Sequence, residues 1–267
     1  MNISNIIYEI RHLDEISQQD TFIHRLNPLS KLLVSFFYIT ITVSFNKYDI
    51  LGLIPLIFYP IMIMTIGNIP YKPIFKRTLL VLPFVIGIGL FNPLLDKSIV
   101  TYIMGFPITG GWISFISLII KCFLTVMCGL ILISTTGIEG IASALRRLKV
   151  PKLFVLQILL TYRYISVLIQ EASNIWLAYS LRAPGQKGVQ SKVWGSLLGQ
   201  LLIRTYDRGD RVYQAMVLRG FQGEYPHYSK MNPSLTDMFY TLSWVCFIAL
   251  TRMYNLPNLL GSFMIGG

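Results

Sequence analysis

Charge is what this sequence has least of. Only 13% of its 267 residues are Asp, Glu, Lys or Arg, where a soluble domain carries about 25%. Hydrophobic residues make up 54% and the mean hydropathy is +0.59. That composition excludes an ordinary water-soluble globule and fits an integral membrane protein. Acidic residues are the scarcer sign: 12 against 23 Lys and Arg, a net charge of +11. In a soluble chain such an excess would point to nucleic acid. In a membrane chain it follows from insertion, which keeps Lys and Arg in cytoplasmic loops, so no nucleic-acid partner is expected.

Cysteine and histidine are sparse too. Cys122, Cys128 and Cys246 lie in apolar runs, where free cysteine behaves as a small hydrophobe, and no pairing framework is visible. His12, His24 and His227 sit near the two ends without ligand spacing, so no metal site is expected. There is no HExxH, no GxSxG and no glycine-rich loop before Lys-Ser/Thr. The chain itself therefore carries no P-loop for ATP, no catalytic constellation and no expected cofactor. Its first 27 residues hold Glu9, Arg11, Asp14, Glu15, Asp20 and Arg25 and no apolar run, so they do not read as a secretory signal.

What is present is a series of apolar runs, at 31–45, 49–66, 78–95, 113–134 and 235–250. Each predicts a membrane span, the first and last being short of the ~20 residues that cross hydrocarbon comfortably. The third contains Pro83, Gly87, Gly89 and Pro93, breakers that a span tolerates where neighbouring helices satisfy the freed backbone. Lys121 falls about a third of the way into the fourth. Either it snorkels to the interface or it marks a functional site. The basic residues of the N-terminus, of the second loop (Lys72, Lys76, Arg77) and of the region 136–226 fall on one side if the first four spans alternate. The positive-inside rule places that side in the cytoplasm.

The region 136–226 reads as three helices, 138–148, 152–181 and 189–218. Pro151 separates the first pair, Pro184-Gly185 ends the second, and Gly220 ends the third. The last helix carries Trp194, Leu198, Leu201 and Leu202 near one stripe, an apolar face that needs lipid or a partner. The two long helices end alike, in Leu181-Arg182-Ala183 and Leu218-Arg219-Gly220. Arginine suits a docking peg because it is always charged and bonds a carboxylate with two parallel contacts, and a small residue after it lets a partner approach. The expected architecture is all-α: a polytopic membrane protein of about five spans, divided as 1–135 (four spans), 136–226 (cytoplasmic amphipathic helices) and 227–267 (last span and tail).

Several stretches then resemble a known family. Thr136-Gly137-Ile138-Glu139, Ala144-Leu145-Arg146-Arg147-Leu148-Lys149-Val150-Pro151 and Thr161-Tyr162-Arg163-Tyr164-Ile165 with Glu171 are similar to the transmembrane component of energy-coupling factor transporters. Arg208, Arg211-Val212-Tyr213-Gln214-Ala215-Met216 and Leu218-Arg219-Gly220-Phe221-Gln222-Gly223 most resemble its cobalt-transporter branch, CbiQ. Leu26-Asn27-Pro28-Leu29-Ser30-Lys31 resembles the family's lead into its first span. The resemblance implies a non-catalytic subunit in a prokaryotic plasma membrane. It also implies two cassette ATPases docked at Arg182 and Arg219, and a separate membrane-embedded substrate-binding subunit that holds cobalt, nickel or a vitamin. The family's usual Ala-Arg-Gly is altered here: leucine precedes both arginines and alanine follows Arg182. A competing reading is a self-sufficient transporter or membrane enzyme working around Lys121 and the broken third span.

Overall fold

The computed structural model describes residues 16–96, 98–103, 106–183, 188–223 and 234–253. Among them the chain forms two compact units, one from residues 16–141 with 234–253 and the other from residues 142–223.

The first unit opens with a helical turn, α1 (Phe22–Arg25). Asn27 then caps α2 (Pro28–Ser44), its side chain accepting the Leu29 N–H, with proline at the first helical position. An asparagine cap followed by a residue that has no N–H to satisfy is a strong helix start. A 3-10 segment (Leu51–Ile57) leads into α3 (Phe58–Ile66). Pro60 cannot donate to the carbonyl of Leu56; the buried Tyr38 hydroxyl donates to it instead, at 3.0 Å. Next come α4 (Tyr71–Gly89), α5 (Phe91–Leu95) and an antiparallel hairpin of β1 (Ile99–Ile103) and β2 (Phe106–Thr109). The hairpin is the local exception to a helical protein.

The long helix α6 (Gly110–Arg147) is interrupted at Gly137, with φ 64° and ψ 167°. Only glycine adopts that backbone readily, and a Cβ there would come within 3.0 Å of Ser17 Oγ. The last helix of this unit is α9 (Leu235–Met253). Its core joins Val34 and Tyr38 of α2, Tyr59 and Ile63 of α3, Leu124 and Ile131 of α6, and Ile248 of α9. The Tyr59 ring stacks on Tyr38 at 4.7 Å and meets Trp244 edge-on at 4.8 Å. The inward face of α2 is largely polar (Lys31, Ser35, Tyr38, Thr42), whereas Leu33, Phe36 and Val43 are exposed. That inversion suits a helix whose outer face meets lipid and whose contacts rest on close packing and hydrogen bonds.

The second unit holds the end of α6, then α7 (Lys152–Arg182) and α8 (Ser191–Leu218). Lys149, with φ 64°, closes α6, and the Val150 N–H bonds back to the Leu145 carbonyl. Pro151 then caps α7. Among the described residues, three stretches are long and apolar enough to cross a membrane: Tyr71–Leu95, Gly110–Arg147 and Lys152–Arg182. The third brings α7 closer to a span by composition than its scattered charges suggest.

Two boundaries differ from expectation. The third span begins at Tyr71, before the expected residue 78, because Lys72, Lys76 and Arg77 occupy the first turns of the helix. The expected fourth span and the short helix after it are one helix with a break.

Candidate functional site

The two long helices α7 and α8 pack on each other in the second unit. Glu171 of α7 forms an ion pair with Arg204 of α8. Beside it lies a cleft of about 170 Å³, lined by Val167, Leu168 and Glu171 on one side and by Arg204, Asp207, Arg208 and Arg211 on the other. The pair bridges the two helices, and its partial exposure to solvent keeps it weak.

Each helix carries its arginine at the C-terminal end. Arg182 is the last residue of α7, followed by Ala183. Arg219 is the C-cap of α8. Both are exposed, and among the described residues neither makes a hydrogen bond or ion pair through its guanidinium. The helix dipole favours a cation at each position. The neighbouring leucines are bared: Leu181 is 74% exposed and Leu218 87%. Both helix ends thus present an exposed guanidinium beside an uncovered leucine.

The two ends differ in backbone. Gly220 lies at φ +80°. The Phe221 N–H reaches the Met216 carbonyl at 3.0 Å and the Gly220 N–H reaches that of Val217 at 2.9 Å. This pair of bonds is the Schellman closure, which calls for a left-handed residue at the position after the cap. Ala183, by contrast, has φ −125° and ψ 62°, with one bond from its N–H to Tyr179 O at 3.1 Å. No left-handed residue is required there, so alanine serves where the second motif needs glycine.

Along α8 the apolar stripe divides. Trp194, Leu198 and Leu202 are exposed, and Tyr206 continues the run at the same four-residue spacing. Leu201 is half-buried and lies off that row.

Lys121 has a structural occupation. Its ammonium donates to the Phe45 carbonyl at 2.5 Å, just past the end of α2. Arg252 of α9 donates to the Ser44 carbonyl at 3.3 Å and lies over the Phe45 ring, 4.9 Å from its centre. Two cations thus close the C-terminal end of α2, where free carbonyls and the helix dipole favour positive charge.

The sequence reading missed a buried polar cluster in the first unit. It joins Lys31, Asp237 and the start of α2. A capping box, Ser234 with Asp237 three residues on, was its available signal.

Comparison with known proteins fixes the family. Residues 19–229 match the cobalt transport protein family CbiQ. The chain belongs to that family. It is 26% identical over 227 residues to the energy-coupling factor transporter transmembrane protein EcfT of Bacillus subtilis, covering 76% of this chain and 82% of the relative. It is also 25% identical over 274 residues to an uncharacterised protein of Methanocaldococcus jannaschii, covering 95% of this chain and 94% of that one. As a CbiQ-family protein with these apolar helices, the chain is a multi-pass membrane component of an energy-coupling factor transporter.

Proposed function

We propose that this CbiQ-family chain is the coupling subunit between two cassette ATPases and a separate substrate-binding membrane subunit, and that it serves uptake of cobalt or nickel. The carrying observation is the pair of exposed arginines, Arg182 and Arg219, each at a helix C-terminus beside a bared leucine. Each would enter a groove of one ATPase, with Leu181 and Ala183, or Leu218 and Gly220, seated around it. ATP-driven closure of the ATPases would move α7 and α8 together, since the Glu171–Arg204 pair ties them. The motion would reach the substrate-binding subunit through the exposed row of Trp194, Leu198 and Leu202, with Leu201 supporting it from the half-buried side. The chain would neither hydrolyse ATP nor select the cargo; a vitamin remains the alternative cargo class. The excess of Lys and Arg in the coupling helices supports a cytoplasmic side for them and for the N-terminus.

The test is the double variant Arg182→Ala, Arg219→Ala in the assembled transporter. Truncating a docking arginine at an interface centre costs ~2 kcal/mol or more. ATPase binding and cobalt uptake should therefore both collapse while membrane insertion is unchanged. Uptake at the wild-type rate would remove the docking role.

A further inference from the structure

Lys31 is charged, 3% exposed and unused by the coupling reading. Its ammonium donates to the Thr135 carbonyl at 2.7 Å and to the His24 carbonyl at 3.4 Å. Thr135 lies two residues before Gly137, where α6 leaves helical geometry. A break of that kind turns the preceding turn into a helix C-terminus, with carbonyls short of donors and a partial negative charge. An ammonium on the Thr135 carbonyl supplies both the donor and the counter-charge.

Asp237, 5% exposed, joins the starts of two helices. One carboxylate oxygen of Asp237 accepts the Asn27 N–H at 2.8 Å, and the other accepts the Ser234 N–H at 2.9 Å. Those two groups are the N-caps of α2 and α9. Together with the Lys31–Thr135 bond, these contacts tie three places together: the start of α2, the start of α9 and the break in α6. All of them lie in the first unit.

We propose that Lys31 is a positioning residue that latches the break at Gly137 to the starts of α2 and α9, fixing the direction in which residues 138–141 leave it. Those residues run on into the coupling helices, so force on the coupling module reaches the spans undiminished only while the break holds its angle. This consequence rests on the coupling reading; the latch does not. Removing the latch frees an angle without removing a core contact, and the expected phenotype is uncoupling.

The experiment uses Lys31→Met, which keeps the length and loses the charge, in the full-length chain. Two quantities are read: amide hydrogen exchange at 138–141, and ATP hydrolysed per cobalt(II) ion taken up by the assembled transporter. The latch predicts faster exchange at 138–141, by about tenfold, with 128–133 unchanged, and a several-fold rise in ATP per ion with assembly intact. Lys31→Arg, which keeps the charge, should restore much of both. Wild-type values of both quantities in Lys31→Met would overturn the proposal. Should Lys31→Met fail to fold, the wild-type chain decides. Exchange at 138–141 comparable with that at 128–133 supports a held break, and exchange as fast as a free loop overturns it. If the chain bound no ATPase, the coupling reading would fall while the exchange comparison still tested the latch.

Discussion

Gly220 and Ala183 follow the two arginines and occupy different backbone regions, at φ +80° and −125°. A β-carbon in the left-handed region costs ~1–2 kcal/mol. Gly220→Ala should therefore loosen the end of α8 and speed amide exchange at Phe221, whose N–H makes the outer closing bond. Ala183→Gly should change local exchange little, because no left-handed residue is required there. Equal effects from the two substitutions would contradict the asymmetry. Lys121 belongs at this scale too: a lysine within an apolar helix invites a transport role, yet its ammonium closes the end of α2. Sequence spacing could not reveal this, because Phe45 is 76 residues away.

Among the elements, the proposed coupling rests on the pairing of α7 with α8. The Glu171–Arg204 side chains are 28% and 50% exposed, so solvent screens the pair and its contribution stays below ~1 kcal/mol. A double-mutant cycle of Glu171→Gln and Arg204→Gln should give a coupling energy of a few tenths of a kcal/mol. Uptake should fall further than so small a loss of stability would suggest. A coupling energy of zero with normal uptake would mean the pair does not join the helices. The ends of these helices were legible in the sequence because proline and glycine act locally: Pro151 starts α7, and Leu218 with Gly220 ends α8. Hydropathy was a poorer guide to the start of α4, since it reports depth in the membrane while the helix begins earlier, among its basic residues. The hairpin of β1 and β2 gave no periodic signal over so few residues. The burial of Lys31 was not legible in the sequence, because it depends on Thr135, far away in the chain.

At the scale of the whole molecule, the first unit should respond to acid through His24. Burial and the positive charge of Lys31 hold His24 below its ordinary value of 6.5, against the opposing pull of the Ser134 and Ile16 backbone carbonyls and of Asp20. The folded state thus binds the proton less readily than the unfolded chain, and stability rises with pH across this window. Acidification below about 6.5 should lower the unfolding midpoint in detergent, and His24→Gln should flatten that dependence. An unchanged slope in the variant would assign the pH response elsewhere.

The coupling role itself is tested most directly by purifying the tagged full-length chain in mild detergent from its own cells and identifying what accompanies it. The account predicts two cassette ATPase subunits and a small apolar membrane subunit, with the ATPases lost in the Arg182→Ala, Arg219→Ala variant. A folded chain that comes out alone, and moves cobalt(II) in liposomes without any ATPase, would contradict it.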